Sequence, residues 1–221
     1  MQKMWTEIDA YIDSHLIPED PILLQTLKNT EDNGFPDHLA VAPNQGMLLQ
    51  MLIQMNQCKR VLELGTFAAY STIWLARALP EDGYILTIEG RDTHAALAQE
   101  NINHAKLPQK IELQVGRAAD VLKALPQDFE AFDFIFIDAD KQSYSEYLEL
   151  SLNLSHSGTI IVLDNVVRAG EIINSTNQKP SIEGIRDMFV ALKNHPKILS
   201  CTALQTVGSK GHDGFALVLV K

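Results

Sequence analysis

The 221-residue sequence contains no apolar run long enough to span a bilayer. Between Met1 and Leu16 it carries Glu7, Asp9 and Asp13, where a signal peptide would need an uninterrupted apolar stretch. We therefore expect a cytoplasmic protein that neither crosses nor enters a membrane.

Cysteine is scarce as well. The 2 cysteines, Cys58 and Cys201, lie far apart and in no metal-ligand spacing. This excludes a disulfide framework and argues against a zinc site. We expect both to be buried free thiols.

Positive charge is in short supply: 18 Lys and Arg stand against 28 Asp and Glu, for a formal net charge of −10 and a pI of about 5.1. Such a chain has no general electrostatic attraction for phosphate backbones or anionic lipid. Nucleic acid is disfavoured as a partner, although a local basic patch could still bind it.

What the sequence does contain is an alternation of short apolar runs with amphipathic stretches, which is typical of βαβ units around a parallel sheet. The predicted strands are Arg60–Leu64, Tyr84–Glu89, Lys110–Val115, Phe132–Asp138 and Thr159–Asp164. Apolar residues at helical spacing predict intervening helices over Ser71–Leu79, Asp92–Ala105, Ala118–Leu125 and Ser143–Leu154. This pattern predicts an α/β fold with helices on both faces of the sheet.

Segments at either end complete the predicted domain. Three helices precede the core, over Trp5–Leu16, Pro21–Asn33 and Pro43–Asn56. A helix over Ile182–Asn194 follows it, and then an antiparallel hairpin of Ile198–Val207 and Gly214–Val220 around a turn at residues 208–213. No repeat or linker is visible, so we expect one domain over residues 1–221, with a helical cap at 1–57 and the α/β core at 58–221.

Glycine is sparse where a nucleotide fold would need it. A dinucleotide site wants three glycines after the first strand, and only Gly65 is present, next to the acidic Glu63. An acid beside one glycine suits a ligand with a cationic end, such as S-adenosylmethionine (SAM). Ser71 and the amides of the following helix could receive its carboxylate, and Glu89 could accept hydrogen bonds from its ribose diol.

Oxygen-bearing side chains follow two further strands. Asp138 ends the fourth strand, and Asp164 and Asn165 end the fifth, so all three are expected at one sheet edge. Hard oxygen donors without His or Cys suit Mg²⁺, with Ca²⁺ or Mn²⁺ as alternatives. A phenol has a pKa of about 10, and a dication would stabilise its anion for methyl transfer, with Lys141 as the proton acceptor.

Simpler roles exist for each of these residues. Glu63 and Glu89 could be solvated strand ends, Ser71 a helix cap, and Lys141 a solvated loop charge. Asp138 or Asp140 could cap the helix that begins near Ser143, and Asp164 with Asn165 could form an ordinary turn. The ordered placement of these groups on successive strand ends favours the ligand-binding interpretation.

From Val41 to the C-terminus the chain resembles the cation-dependent class I O-methyltransferases of the caffeoyl-CoA and catechol type, especially small bacterial members. The matching motifs are Leu62-Glu63-Leu64-Gly65-Thr66, Tyr70-Ser71-Thr72, Phe134-Ile135-Phe136-Ile137-Asp138-Ala139-Asp140-Lys141 and Leu163-Asp164-Asn165-Val166-Val167. The IDADK and DNV segments are the specific ones, because many unrelated methyltransferases share the ELGT element.

This resemblance implies a Rossmann-like fold with a seven-stranded, mostly parallel sheet whose last strand is reversed, and usually a homodimer. It implies that Asp138, Asp164 and Asn165 hold the metal and that Lys141 and Asp138 are catalytic. The positions that match cofactor-lining residues of similar enzymes are Val41, Glu63, Gly65, Thr66, Ser71, Glu89, Ala118 and Asp140.

The sequence also departs from the family. Ala69 stands where members commonly have glycine, and residues 197–212 lack the glutamate with which mammalian catechol enzymes hold the second hydroxyl. Substrate specificity is expected in the N-terminal helices and the loop at residues 168–180, where Arg168 and Lys179 are candidates for an anionic substrate tail.

Three functions are weighed on this basis. The first is methyl transfer to a small catechol-like, phenylpropanoid or flavonoid acceptor. The second keeps the chemistry but uses a hydroxylated uridine of transfer RNA, and the acidic balance of the chain weighs against it. The third is a non-catalytic adenosyl-binding scaffold, which would have no need of Asp138, Lys141, Asp164 and Asn165 together.

Overall fold

Seven strands form one sheet in the computed structural model, which describes residues 1–221. The strands are β1 (Arg60–Leu64), β2 (Tyr84–Glu89), β3 (Lys110–Val115), β4 (Phe132–Ile137), β5 (Ser155–Leu163), β6 (Ile198–Gly208) and β7 (Gly211–Val220). Their order is β3-β2-β1-β4-β5-β7-β6, with β1 to β5 parallel and β7 antiparallel to both of its neighbours. The predicted seven-stranded sheet with a reversed last strand is confirmed.

Eight α-helices surround this sheet: α1 (Gln2–Leu16), α2 (Pro21–Asp32), α3 (Pro43–Met55), α4 (Tyr70–Ala78), α5 (Asp92–Ala105), α6 (Ala118–Ala124), α7 (Tyr144–Asn153) and α8 (Pro180–Leu192). Short 3₁₀ turns lie at Asp37–Leu39, Lys141–Ser143 and Arg168–Ile173. The predicted helices are all present, with ends displaced by up to a turn. No helix has the length and apolar character needed to cross a bilayer.

The central strands are buried on both faces, which explains their nearly continuous apolar sequences. Successive side chains of a strand point to opposite faces. In β1, Leu62 and Leu64 therefore join the core cluster that includes α7 and α8, whereas Val61 joins the cluster that includes α3 and α4. The same alternation divides β4. Helices thus cover both faces, as the sequence predicted.

Of the three N-terminal helices, α2 begins where a side chain satisfies free amides of its first turn. Asp20 precedes α2 and its Oδ1 accepts hydrogen bonds from the amides of Ile22 (2.9 Å) and Leu23 (3.0 Å), while Pro21 occupies the first helical position. Helix α3 packs closely on α4, because Gly46 leaves room for the Trp74 ring: a Cβ there would lie 2.6 Å from it.

The terminal hairpin differs from the prediction. The expected turn at residues 208–213 is shorter, because the strands continue to Gly208 and Gly211 and leave only Ser209 and Lys210 between them. Gly211 has φ +97°, a left-handed conformation that glycine adopts readily and that allows so tight a connection. The cysteine prediction is wrong in part: Cys58 is buried, but Cys201 is exposed on the edge strand β6.

Candidate active site

The carboxyl ends of β1, β4 and β5 lie side by side. In the sheet register Leu64 pairs with Ile137, and Ile137 with Leu163. The ladder continues one residue further, since the amide of Asp138 donates to the Leu64 carbonyl (2.8 Å) and that of Asp164 to the Ile137 carbonyl (3.0 Å). The residues that follow these strands therefore meet at one edge, as a parallel sheet requires.

Gly65 is required at this edge for two reasons. Its φ of +99° lies in the left-handed region, and a Cβ at this position would stand 2.3 Å from the Asp138 carbonyl oxygen. Only glycine allows the turn after β1 to pass this close to the end of β4. The single glycine of the motif thus brings the two loops together.

A first cavity, of about 760 Å³, opens beside this turn. It is lined by 7 of the 8 residues predicted to contact a cofactor: Val41, Gly65, Thr66, Ser71, Glu89, Ala118 and Asp140. Asp138, Lys141 and Asn165 also reach it. These residues, all named from the sequence, thus lie around one cavity.

Glu63 is the exception, because it does not line this cavity. It is fully buried and accepts hydrogen bonds from the hydroxyls of Ser71 (2.6 Å), Thr72 (2.5 Å) and Thr87 (2.7 Å). Burial raises the pKa of Glu63 to about 7, against the opposing effect of these hydroxyls. Glu63 therefore orients the start of α4 from inside the protein, and the Ser71 hydroxyl is directed towards Glu63.

Glu89 is held firmly at the end of β2. Its Oε2 accepts from the Phe67 amide (2.8 Å) and its Oε1 from the Arg91 amide (3.0 Å), with His94 Nδ1 at 3.4 Å. The rings of Phe67 and His94 meet edge to face, with centroids 5.0 Å apart. A residue that is 7% exposed and bonded in this way is not a solvated strand end.

The predicted metal ligands lie between the first cavity and a second one. Asp138 and Asn165 line both cavities, and Asp164 lines the second. Asp164 is 6% exposed, and burial, reinforced by the charge of Asp138, raises its pKa to about 7. Asn165 adopts φ 55° and its carboxamide makes no hydrogen bond within the protein.

Lys141 and Asp140 have different environments. The Lys141 ammonium pairs with Asp138, and both side chains are mostly buried, so Lys141 is not a solvated loop charge. Asp140 accepts from the hydroxyls of Ser143 (2.6 Å) and Tyr147. It makes no side-chain hydrogen bond to a helix amide, so the capping alternative does not describe it.

Two residues that sequence reasoning missed support the predicted metal ligands. Gln45 Nε2 on α3 donates to Asp164 Oδ2 (2.8 Å). Asp213 Oδ1 accepts from the amides of Val167 (3.0 Å), Arg168 (2.9 Å) and Gly214 (3.0 Å), which fastens the loop after β5 to β7. Both partners are more than 40 residues away from the loop, so no local pattern identifies them.

The second cavity, of about 790 Å³, lies on the other side of the Asp138 and Asn165 pair. Its walls are α1, residues 38–45 and the β6–β7 hairpin, and its apolar lining consists of Ile8, Ile12, Leu39, Ala40, Val41, Ala42, Leu48, Val207 and Phe215. Helix α1 is fastened to the hairpin turn: Asp9 Oδ2 accepts from the Ser209 amide (2.6 Å), and Gln2 Nε2 donates to the Gly208 carbonyl (2.9 Å). The N-terminal helix thus forms part of this wall.

Comparison with known proteins decides the family. Residues 13–219 match the family described as O-methyltransferase. The chain belongs to this O-methyltransferase family. The resemblance seen in the sequence motifs is therefore confirmed.

Relatives within the O-methyltransferase family match over nearly their whole lengths. The catechol O-methyltransferase of Niastella koreensis is 43% identical, covering 99% of both chains, and that of Mycobacterium tuberculosis is 39% identical, covering 97% of this chain and 96% of the relative. Among solved structures, the Bacillus cereus O-methyltransferase in complex with SAH has a TM-score of 0.96 at 44% identity, with 100% of both chains covered. TomG of Streptomyces achromogenes, in complex with SAM, has a TM-score of 0.94 at 39% identity, covering 100% of this chain and 98% of that one.

Proposed function

We propose that this O-methyltransferase transfers a methyl group from SAM to one hydroxyl of a small vicinal diphenol, and that it uses a bound divalent cation. The observation that carries the proposal is that Asp138 and Asn165 belong to two cavities at once. A methyl donor in the first cavity and an acceptor in the second would meet at these residues.

The first cavity suits an adenosyl ligand. Glu89 is held by two backbone amides and keeps further lone pairs that could accept a ribose diol. Solved relatives with TM-scores of 0.96 and 0.94 are in complex with SAH and SAM. These likenesses support SAM as the methyl donor.

The residues between the cavities suit a hard divalent cation. No group of three or more His, Cys, Asp and Glu side chains lies together as a metal site. Here, however, two carboxylates and the carboxamide of Asn165 line the same cavity. The mutual repulsion of Asp138 and Asp164, together with the unbonded carboxamide of Asn165, fits a cation held by oxygen donors. Mg²⁺ is the proposed ion, with Ca²⁺ or Mn²⁺ as alternatives.

A cation bound there would stabilise the anion of an acceptor hydroxyl and hold the adjacent hydroxyl beside it. The protein's own residues would orient the acceptor and move its proton. As the methyl group passes from sulfur to oxygen the acceptor loses one proton, and Lys141 Nζ, beside Asp138, is the proposed group to take it. Lys141 would have to be a neutral amine for this step, and the charge of a neighbouring dication would favour that form. Gln45 and Asp213 would keep Asp164 and Asn165 in place.

The direct test is methyl transfer from labelled SAM to a panel of vicinal diphenols and monophenols, with EDTA and with Mg²⁺ restored. We expect turnover of vicinal diphenols only, abolished by EDTA and recovered with Mg²⁺. Asp164→Asn should lower activity at limiting Mg²⁺ by at least about tenfold, because altering a metal site's ligands or their supports typically costs that much. The exposed Asp187→Asn on α8 is the matched control.

Turnover that persists in EDTA, or equal turnover of monophenols, would contradict the metal-chelation proposal. Absence of turnover with every phenol would favour one of the two alternatives, transfer RNA or a non-catalytic scaffold. Filter binding of transfer RNA at low and moderate salt separates these two, because phosphate-driven binding weakens as salt rises.

The acceptor's ring substituents are a separate question. Relatives named catechol O-methyltransferase and caffeoyl-CoA O-methyltransferase both match this chain, the Zea mays caffeoyl-CoA enzyme at 31% identity over 83% of it. Asp213 lies just beyond residues 197–212 and lines the second cavity, but its Oδ1 is bonded to three amides, which leaves only Oδ2 to meet an acceptor. Other groups of the second cavity would have to hold the ring substituents.

A further inference from the structure

Two basic side chains, Lys210 and Arg168, line the second cavity, which Lys141 does not reach. Lys210 occupies the two-residue turn between β6 and β7, at the mouth of the cavity. Arg168 follows the loop that carries Asp164 and Asn165, and it lines both cavities. In a chain of net charge −10, two such cations on one cavity call for an explanation.

The carboxylates of this cavity already have partners. Asp9 accepts from the Ser209 amide, and Asp213 from three amides. Asp138 pairs with Lys141, and Asp164 accepts from Gln45. Each acid is thus bonded within the protein, with the last two also serving as the proposed metal ligands.

The cations are far less engaged. Lys210 has no carboxylate oxygen within 4.0 Å, and its Nζ donates only to the His38 carbonyl (3.0 Å). The Arg168 guanidinium makes no hydrogen bond, and its ion pair with Asp213 is long, at 3.9 Å. An ammonium has three donors and a guanidinium five, so both keep donors free for a ligand.

We propose that the natural acceptor is a vicinal diphenol whose ring bears a carboxylate-terminated substituent, and that Lys210, assisted by Arg168, binds this carboxylate. The inference rests on the proposed function, in which the two hydroxyls lie at Asp138 and Asn165 of the same cavity. Ile8, Leu48 and Phe215 also line this cavity and offer apolar surface for the ring. Charge-assisted hydrogen bonds from Lys and Arg are the strong interactions available to a carboxylate.

The experiment compares three acceptors that share a ring and differ in charge: 3,4-dihydroxyphenylacetate, 3,4-dihydroxyphenylethanol and 3,4-dihydroxyphenylethylamine. In the Mg²⁺-loaded enzyme we expect the highest kcat/KM for the carboxylate. Lys210→Met should lower the ratio of kcat/KM for the carboxylate to kcat/KM for the alcohol by about tenfold, because the loss of one charge-assisted hydrogen bond has about this effect. Lys210→Glu should shift the preference towards the amine.

Lys179→Met is the matched control: the sequence suggested Lys179 for an anionic substrate tail, but Lys179 is exposed and lines neither cavity. It should leave the ratio unchanged, and Arg168→Met should lower it less than Lys210→Met. Melting temperatures of all variants within a few degrees of the parent would show that folding does not cause the changes. A ratio equal in the parent and Lys210→Met would overturn the inference while leaving metal-dependent diphenol methylation intact.

Calorimetry keeps the inference testable if no diphenol is methylated. Binding of 3,4-dihydroxyphenylacetate to the protein with SAH and Mg²⁺ should then be weaker in Lys210→Met than in Lys179→Met, by about tenfold in Kd. Equal dissociation constants in the two variants would overturn the carboxylate site. A larger Kd in Lys210→Met than in Lys179→Met would support the carboxylate site, although the proposed methyl transfer to a diphenol would have failed.

Discussion

At the scale of single residues, position in the chain and direction of the side chain carry different information. Glu63 has the residue type and the strand-end position expected of a cofactor ligand, yet it points into the protein. The alternation within β1 accounts for this: Glu63 shares a face with Val61, whose side chain is fully buried, and Thr87 stands opposite it on β2. The motif identifies the turn correctly, and the strand period decides which of its side chains reach the cavity.

Asp213 provides a prediction at the same scale. Asp213→Ala removes two hydrogen bonds from the loop that carries Asn165 and one from the Gly214 amide of β7, so the loop should lose its fixed conformation. We expect the Kd for Mg²⁺, or for Mn²⁺ as a probe, to rise about 10-fold to 100-fold, as is typical for groups that support metal ligands. Titration calorimetry on the SAH-loaded protein measures it.

The same variant should also be less stable, by about 1–3 kcal/mol, because three amides, two of them in partly buried hydrogen bonds, would lose their acceptor. Urea unfolding at fixed metal concentration tests this, with Asp187→Ala as the control. A loss of stability accompanied by an unchanged metal Kd would mean that Asp213 serves the fold and not the metal site.

At the scale of elements, the parallel core follows closely from its sequence. β1 to β3 have the predicted ends, and β4 differs by one residue. The apolar runs of β1, β2 and β4 between polar turns are characteristic of strands buried on both faces. The ends of the hairpin strands and the conformation of the 168–180 segment are harder to predict from the sequence. Arg186 on α8 fixes that segment by donating to the carbonyls of Ile172, Asn174 and Asn177, contacts that no local pattern predicts.

The N-terminal ends of three strands are joined by one carboxylate. Asp133 Oδ2, at the start of β4, accepts from the amides of Lys59 (2.6 Å) and Arg60 (2.8 Å) at the start of β1, and Oδ1 pairs with His156 of β5 (2.8 Å). The Ser157 carbonyl and Asp133 raise the pKa of His156. Burial opposes ionisation of Asp133, but these amides and His156 prevail and lower its pKa.

The His156 pair predicts a pH-dependent contribution to stability. A histidine whose pKa is raised by folding stabilises the protein fully below its unfolded pKa of about 6.5, and this stabilisation is lost as pH rises through the folded value. His156→Gln should therefore lower the free energy of unfolding more at pH 5.5 than at pH 8.5. Because His156 is 46% exposed, we expect a difference of about 0.2–1 kcal/mol.

Urea unfolding at both pH values measures this difference. The double variant with Asp133→Asn is the control, because the pH dependence should disappear when the carboxylate is absent. An equal cost of His156→Gln at the two pH values would show that the pair does not contribute through its charge.

At the scale of the whole molecule, the predicted homodimer is still a prediction. The edge strand β6 presents an unpaired backbone and exposes Leu199 (62%) and Leu204 (51%), which are features of a surface that a second copy can cover. We expect sedimentation equilibrium to give twice the chain mass of 24.6 kDa.

Leu204→Glu should shift this equilibrium towards the monomer, because the partner would have to bury a charge. Val190→Glu, on the exposed face of α8, is the matched control and should leave the mass unchanged. A monomer at every concentration of the parent protein would contradict the prediction, and equal effects of the two variants would locate the interface elsewhere.

The bonds between α1 and the hairpin turn have a consequence for recombining this protein with its relatives. Asp9 accepts a hydrogen bond from the Ser209 amide, and a Cβ at Gly208 would stand 2.3 Å from the Asp9 carboxylate. Helix α1 and the hairpin turn, about 200 residues apart in the sequence, are therefore complementary in shape and hydrogen bonding. A chimaera that exchanges only the first helix would bring a foreign side chain against this turn. Transplanting acceptor preference between family members therefore requires both chain ends to be inherited as a matched pair.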